Sequence, residues 1–493
     1  MKLGVTIFFL LTITNLFAQS NEIKREIKYT AEAGTIISTN GETPFWLRAN
    51  QYGIVPNQSP ILTLRGSVSS DYKKAITKED QYKLSKFDWG YGLNIVGNVG
   101  KENQFLIPEA YVKAKYGAFE IYAGRRREIF GLVDSTLSSG SYIWSGNALP
   151  MPKIQISTPN FVPLPFTKGF LSFKGNYAHG WFENSRADVK NFYLHQKNLY
   201  FRLGKPDWKF HFYGGFNHQV QWGGELLYPD PKNEFSINGK VGSSFNDYIN
   251  IVTGRSLAGI GDTTKNGVND ALNRSGNHLG TLDFGFDINT NTYSILLYRQ
   301  SIFEDGSLAY LSNITDGLNG ISVSIKKTSD AKIRLQKIVF EYLNTSSQGG
   351  VGGSENTSSR LRGQDNYFNN GVYRNGWSYN QNSLGTAFIN NVSSITNASN
   401  LFFNNNRVEA IYLGVLGIIN NNISSEVRIS NSKNVGTYSY PFTKAKNQFS
   451  GLISLNYSPY FLEKSVIKLS VVMDSGELYD DSFGFYLGLR KNW

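Results

Sequence analysis

The stretch FDWGYGLNIVGNV, Phe87 to Val99, alternates between two kinds of residue along its length. One parity is apolar and aromatic and consists of Phe87, Trp89, Tyr91, Leu93, Ile95 and Val99. The other parity is mostly small or polar and includes Asp88, Gly90, Gly92, Asn94 and Asn98. A period of two sustained this long predicts a β-strand with one apolar and one polar face.

The same pattern recurs through the chain, interrupted by short turns. Residues 199–217, LYFRLGKPDWKFHFYGGFN, contain two alternating runs separated by a turn at residues 204–207. Further hairpin turns are predicted around residues 116–117, 289–291, 329–330, 420–422 and 458–463. These short turns fall on one side of the predicted sheet, whereas the other side has long polar connections, notably residues 345–406.

The last residues, FGFYLGLRKNW, place Phe483, Phe485, Leu487, Leu489 and Trp493 on one parity. This resembles the terminal strand of bacterial outer-membrane barrels. We therefore predict an all-β fold, a transmembrane antiparallel β-barrel with short periplasmic turns and long extracellular loops. The length suggests about 18 strands, and 16 is acceptable because bacterial barrels prefer even numbers. A soluble multi-sheet protein is the competing interpretation, but it would not need such uniformly apolar outward faces.

The first residues have the composition of an export signal. Lys2 precedes an apolar run that weakens towards Ala18, which predicts a signal peptide over residues 1–18 and a single barrel domain over residues 19–493. Thr12, Thr14 and Asn15 interrupt the run too early for an anchoring helix of about 20 residues. We expect the protein in the outer membrane of a Gram-negative bacterium. The chain has no cysteine, which excludes disulfides, thiolate metal sites and cysteine nucleophiles.

Four sequence blocks resemble the capsule-assembly Wzi family. They are TPFWLRANQYGIVP (residues 43–56), FNHQVQWGG (216–224), DGLNGI (316–321) and NGVYRNGWSYNQNSLGTAF (370–388). The resemblance implies an outer-membrane barrel that acts as a lectin. Such a protein would hold capsular or other surface polysaccharide at the cell surface, and help to attach or assemble the capsule, without cleaving the polymer.

The first block is also a candidate polysaccharide site on chemical grounds. Sugar rings stack on aromatic side chains, and their hydroxyls need donors and acceptors. The block supplies both kinds within a few residues: Trp46, Arg48, Asn50, Gln51 and Tyr52. The alternative is that Trp46 and Tyr52 belong to an interfacial aromatic girdle while Arg48 lines the lumen.

A second candidate is the run Arg125, Arg126 and Arg127, whose guanidinium groups could grip a uronate or phosphate. The alternative is charge pairing inside the lumen with Glu109 and Glu120. Because strict alternation would point a charge at lipid, we expect either that the strand reaches the headgroups by Arg125 or that a bulge at Gly124 turns the segment inwards.

The formal charge of +11 favours an anionic partner, which acidic polysaccharide or lipopolysaccharide would satisfy. We expect contact with outer-membrane lipid, no nucleic acid partner, no cofactor, no metal and a monomer. A porin for anionic solutes remains an alternative. A barrel-type hydrolase is a weaker one: His218 is its best candidate base, but it has no evident partner in sequence and is more often a hydrogen-bonded lumen residue. The five histidines have no metal-ligand spacing.

Overall fold

A computed structural model describes residues 25–74, 85–304, 307–326, 331–350, 363–392 and 402–493. In these residues, eighteen antiparallel strands form a closed barrel wall. The wall strands are β1 (Ile27–Ser38), β2 (Ile61–Ser70), β3 (Phe87–Gly100), β4 (Gln104–Tyr116), β5 (Phe119–Arg125), β6 (Lys153–Ser157), β7 (Leu171–Trp181), β8 (Tyr193–Leu203), β9 (Phe210–Trp222), β10 (Asn277–Asn289), β11 (Tyr293–Phe303), β12 (Gly317–Ile325), β13 (Ile333–Asn344), β14 (Val408–Ile419), β15 (Ile423–Gly436), β16 (Pro441–Tyr457), β17 (Ser465–Gly476) and β18 (Ser482–Asn492).

Each strand pairs with its neighbours in chain order, and β1 pairs with β18 to close the ring. Closure places Thr30 opposite Asn492 and Ser38 opposite Gly484. The predicted membrane barrel of about 18 strands is confirmed.

The smaller elements of the described chain lie between wall strands. They are helices α1 (Phe45–Arg48), α2 (Phe245–Thr253) and α3 (Val268–Leu272), 3-10 turns at Pro165–Thr167 and Ser307–Tyr310, and strand pieces at Val162–Pro163, Val189–Lys190, Glu225–Leu226, Ser378–Tyr379 and Asn382–Ser383. None of the helices in the described ranges is long and apolar enough to cross a membrane.

The two rims of the barrel differ in their connections. The periplasmic rim has the termini of the described wall and mostly short turns, at residues 117–118, 158–170, 204–209, 290–292, 420–422 and 458–464. The extracellular rim has the long connections 39–60, 126–152, 223–276 and 345–407. Four hairpin turns predicted from the sequence, together with the turn at 204–207, lie on the periplasmic rim. The predicted turn at residues 329–330, like the signal peptide, lies outside the described residues.

The outer wall is apolar because of the alternation seen in the sequence. In β3, Phe87, Trp89 and Leu93 are exposed whereas Asp88 is buried on the lumen side. In β18, Phe485, Leu487 and Leu489 are likewise exposed and Tyr486 is buried. Aromatic residues gather near the periplasmic strand ends, where they form an interfacial girdle of Phe87, Trp89, Tyr116, Phe119, Phe210 and Tyr293.

Loops, not solvent, occupy the extracellular half of the lumen. Every residue of the connection 126–152 from Leu137 to Met151 is buried, and residues 363–392 contribute a second, largely buried layer. Wall residues bind these loops directly: Glu341 of β13 accepts hydrogen bonds from the Ser138 hydroxyl and the Ser139 amide, each at 2.6 Å. Carboxylate acceptors of this kind satisfy loop amides that no water would reach.

The outward position of Ile453 in the middle of β16 gives a test of the lipid-facing wall. Ile453 is 56% exposed and pairs with Val427 and Val471 on neighbouring strands. We expect Ile453→Arg to destabilise the folded barrel by about 2–4 kcal/mol, since an arginine near the bilayer midplane is poorly solvated. Unfolding in urea from lipid vesicles measures this, with Tyr460→Arg in the periplasmic turn as the control. Equal stability of the two variants would place this face outside the bilayer.

Candidate functional site in the barrel lumen

The first predicted site stretch enters the lumen as a single helical turn, α1. Trp46 is only 1% exposed, and its indole Nε1 donates to Ser430 Oγ of β15 at 3.1 Å and to the Ser450 carbonyl of β16 at 3.2 Å. Its ring lies 5.2 Å from that of Tyr412. The girdle alternative is wrong for Trp46 because the residue faces the inside of the wall. Trp46 therefore anchors the loop and presents no free ring face for stacking.

The rest of this stretch turns across the lumen. Arg48 donates to the Thr43 carbonyl at 3.2 Å and lies over the Tyr479 ring. Asn50 donates through Nδ2 to the Ser139 carbonyl at 2.7 Å, which joins this loop to the connection 126–152. Asn50 and Tyr52 have φ values of 56° and 55°, in the left-handed region, so the chain reverses here. The reversal turns Gln51 and Tyr52 towards an open part of the lumen, so the girdle alternative is wrong for Tyr52 as well.

The arginine run lies inside the barrel, immediately after β5. Strand β5 ends at Arg125, whose guanidinium donates to the Tyr379 hydroxyl at 3.2 Å. Arg126 pairs with Glu120 at 2.6 Å, and Arg127 lies 3.8 Å from Glu109. The structure thus shows the lumen pairing that the sequence offered as the alternative. An inward turn of the segment, and not exit at the headgroups, removes these charges from lipid. The expected bulge at Gly124 is wrong, because the β4–β5 register continues without a shift through Gly124 and Arg125.

The two predicted site stretches meet at one point. The guanidinium of Arg127 lies over the Tyr52 ring, 5.2 Å from its centroid, and donates to Asn94 at 3.3 Å. Of the eight predicted site residues, Trp46, Asn50, Gln51, Tyr52 and Arg127 border one shared cavity. Arg48, Arg125 and Arg126 do not border it.

A buried ionic cluster supports this junction. Glu128 lies 3.0 Å from Arg126 and 2.7 Å from Lys153, and it accepts a hydrogen bond from the Tyr122 hydroxyl at 2.7 Å. Burial alone would raise the pKa of Glu128, but Lys153 and Arg126 outweigh burial and hold the pKa below its usual value. For Arg126, burial opposes the charge, whereas Glu128 and Glu120 raise the pKa above its ordinary value. The cluster is therefore charged, and it fixes the start of the connection 126–152 to strands β5 and β6.

The shared cavity has a volume of about 780 Å³ and extends from α1 towards the periplasmic rim. Its lower walls reach Ser424, Ser458 and Arg490, which lie beside the periplasmic turns. Five cationic and three anionic side chains line it: Arg65, Arg127, Arg428, Lys468 and Arg490, with Glu32, Glu109 and Glu426. Serine hydroxyls supply much of the remaining wall.

Sequence reasoning missed the wall contribution to this cavity. Lys468 and Arg490 lie on the lumen parity of β17 and β18, opposite to the apolar parity of Leu469 and Leu489. That alternation could have placed them in the lumen. It could not have shown that they share a cavity with Tyr52, because α1 contacts the wall through residues hundreds of positions later in the chain.

Four of the five histidines lie on the outer wall, not in the lumen: His179, His195, His218 and His278 on the consecutive strands β7 to β10. Helix α2 covers them, with the Tyr248 ring 5.8 Å from that of His195. His218 Nε2 and His278 Nδ1 share a hydrogen bond at 2.9 Å. The lumen position expected for His218 is wrong because Asn217 and Gln219 occupy the inward parity. Within the described ranges no three ligating side chains converge on a metal position, and the histidines form a packing surface for α2.

A closed barrel with an apolar exterior and a loop-filled lumen defines an outer-membrane β-barrel protein. The family model of the capsule assembly protein Wzi matches residues 18–414. The chain belongs to this family. No curated protein matches the chain.

The structure of Escherichia coli Wzi is similar to this chain, with a TM-score of 0.56 and 14% identity over 94% of this chain and 83% of that one. That protein is an outer-membrane protein involved in group 1 capsule assembly and is described as a carbohydrate-binding β-barrel. Two Pseudomonas aeruginosa proteins, OccK5 (OpdH) and OpdK, match with TM-scores of 0.45 and 0.43 at 8% and 9% identity, each over 95% of this chain and 98% of its own.

Removing the carboxylate of Glu128 tests the structural role of the ionic cluster. We expect Glu128→Gln to cost about 3–5 kcal/mol of folding free energy, since two buried cations lose their shared counter-charge. The measurement is the urea midpoint of the folded barrel. Glu26→Gln is the matched control, because Glu26 forms an exposed pair with Lys28 and should change stability by less than about 1 kcal/mol. Equal midpoints would show that the cluster contributes nothing.

The extracellular connection 223–276 should loosen as the pH rises. Burial raises the pKa of Asp270 in α3 from 3.8 to about 7, and nearby Asp247 adds to the shift, although the Gly276 amide donates to Asp270. The folded loop therefore favours the protonated acid, and this stabilisation is lost as pH rises from about 4 to 7.

We expect Asp270→Asn to increase amide protection across this connection by at least about tenfold at pH 8, because one pKa unit is worth about 1.4 kcal/mol. The same substitution should have a clearly smaller effect at pH 5, where only about one of the three pKa units of stabilisation has been lost, than at pH 8. Hydrogen exchange corrected for intrinsic rates provides the measurement, and Asp207→Asn in a periplasmic turn provides the control. A gain of the same size at both pH values would contradict the shifted titration.

Proposed function

We propose that this protein binds an acidic capsular or other surface polysaccharide and helps to attach or assemble the capsule at the cell surface. Membership of the capsule assembly family is the observation that carries this proposal. The carbohydrate binding described for E. coli Wzi supports it. In this proposal the protein is exported with cleavage of residues 1–18, acts as a monomer, contacts lipopolysaccharide and outer-membrane lipid, and binds polymer without cleaving it.

Extracellular residues have the chemistry that an acidic polysaccharide requires. Arg374 lies over the Tyr228 ring at 3.5 Å, and Arg407 lies over the Tyr438 ring at 3.8 Å. A guanidinium stacked on an aromatic ring is held in a fixed orientation and keeps donors for a carboxylate. The formal charge of +11 adds attraction for an acidic polymer.

A porin for anionic solutes is the second candidate, because the lumen cavity is lined by five cationic side chains and only three carboxylates. The packing of the described loops argues against an open diffusion path. Three aromatic side chains in the extracellular half of the lumen are completely buried: Tyr142, Trp377 and Phe368. A diffusion channel of this strand number would instead keep a water-filled passage.

Gene deletion and complementation test the proposal in cells. We expect deletion to shift acidic polysaccharide from the cell-attached to the released fraction while permeability to small anionic solutes stays normal. Complementation with Arg374→Gln/Arg407→Gln should restore little retention, since each lost charge-assisted contact weakens binding by at least about tenfold. Lys86→Gln/Lys332→Gln, which removes equal charge from the periplasmic rim, is the control. Normal retention after deletion, with lowered anion uptake, would favour the porin.

A further inference from the structure

The periplasm-facing cavity contains more positive charge than its own carboxylates neutralise. Three of its cations are paired: Arg65 with Glu32 at 3.1 Å, Arg127 with Glu109 at 3.8 Å and Arg428 with Glu426 at 2.5 Å. Among the described residues, the side chains of Lys468 and Arg490 form no ion pair and no hydrogen bond, although both backbones pair in the wall. Five cations against three carboxylates leave a surplus of two charges.

The unpaired cations lie close together on neighbouring strands. Val466 pairs with Arg490, and Lys468 pairs with Gly488, in the β17–β18 ladder. Both side chains are on the lumen parity and both border the cavity. The Lys468 ammonium lies 5.9 Å from the Tyr486 ring centroid. Lys468 is partly buried and Arg490 is exposed. The carboxylates nearest to Lys468, Glu426 and Glu32, are already paired with Arg428 and Arg65, so an anion that enters the cavity gains charge-assisted contacts with Lys468 and Arg490.

The rest of the wall favours a sugar over a lipid. The cavity is lined by six serines, eight charged side chains and the rings of Tyr52 and Tyr111, alongside eight aliphatic residues, so polar and charged groups outnumber the aliphatic ones. Hydroxyls match sugar hydroxyls, tyrosine faces match the C–H faces of sugar rings, and neither suits an acyl chain. Its 780 Å³ falls within the range of about 300–1,000 Å³ typical of ligand pockets.

We propose that this cavity binds a short acidic saccharide segment from the periplasmic side, with Lys468 and Arg490 pairing with its carboxylates and the Tyr52–Arg127 stack forming the end of the site. The site would be separate from the extracellular face and would contact the polymer before or during its passage to the surface. This inference rests on the proposed function, because it takes acidic polysaccharide as the ligand.

The experiment uses purified full-length protein in detergent, with oligogalacturonate of four to six residues as the acidic probe and malto-oligosaccharide of equal length as the neutral probe. Calorimetry should show binding of the acidic probe that weakens with salt, and at least tenfold weaker binding of the neutral one. Lys468→Gln/Arg490→Gln should reduce affinity for the acidic probe by at least about tenfold.

Two controls make the result specific. Lys464→Gln removes a charge from the adjacent periplasmic turn and should leave affinity unchanged. Arg374→Gln/Arg407→Gln removes the extracellular stacks and should abolish only the oligogalacturonate binding of that face, so that the measured stoichiometry falls while the cavity keeps its affinity. The single variant Arg490→Gln is measured as well, in case the double variant fails to fold. Arg490 is exposed where the cavity opens near the periplasmic rim, so its replacement should leave the barrel wall intact.

Each outcome decides between the two proposals. Unchanged affinity in the folded Arg490→Gln and double variants, or no binding of either probe by the wild-type protein, would overturn the cavity site. If binding is instead lost only in the Arg374→Gln/Arg407→Gln protein, the extracellular face binds the polymer and the proposed function stands without this cavity. Cavity binding by purified protein together with normal capsule retention after gene deletion would overturn the capsule role and leave the saccharide site in place.

Discussion

The pairing of β1 with β18 is the interaction on which the remaining architecture depends. Residues Thr30–Ser38 and Gly484–Asn492 supply the last set of backbone hydrogen bonds, without which both strands would carry unpaired amides into lipid. Closure with eighteen strands also fixes the width of the lumen. A ring of this size is too wide for wall side chains to fill, so something else must occupy or line its interior. In this protein, loops occupy the extracellular half of the interior, and polar wall side chains line the rest.

Loops fill the extracellular half, and wall carboxylates hold them. Glu341 accepts a hydrogen bond from the Ser139 amide. Asp283 accepts one from the Leu132 amide, and Asp474 one from the Phe45 amide, each at 2.8 Å. These acceptors lie on different strands, so each loop is fixed at several points around the ring. An amide buried between loop and wall would be costly without such a partner. The polar inward parity of the strands is therefore a docking surface for loops as well as a solvated lining.

Much of the wall was predictable because alternation is local. The parity of Phe87 to Val99 predicted the exposed and buried faces of β3 correctly, and five short turns lay where the sequence placed them. Pairing of Arg126 with Glu120 was foreseeable too, since the two residues are six positions apart.

The position of Trp46 was not predictable. Its partners Ser430 and Ser450 are 384 and 404 residues away, and nothing in the sequence near Trp46 records that contact. The position of a lumen loop depends on contacts with strands all around the ring, whereas the position of a strand depends on the two strands beside it.

The same contact determines where the open space lies. Ser430 and Ser450 are about half-way along their strands, so the Trp46 indole fixes α1 near the middle of the lumen. Above α1 the connection 126–152 packs against the loop through Asn50 and Ser139. Below it the wall continues with serines and charged residues, and no described loop covers them. Among the residues that the structure describes, the barrel is thus closed towards the outside and open towards the periplasm, because the long loops enter from the extracellular rim. A ligand that reaches Tyr52 and Arg127 must come from the periplasmic rim, whereas one that contacts the Arg374 and Arg407 stacks meets the outer face.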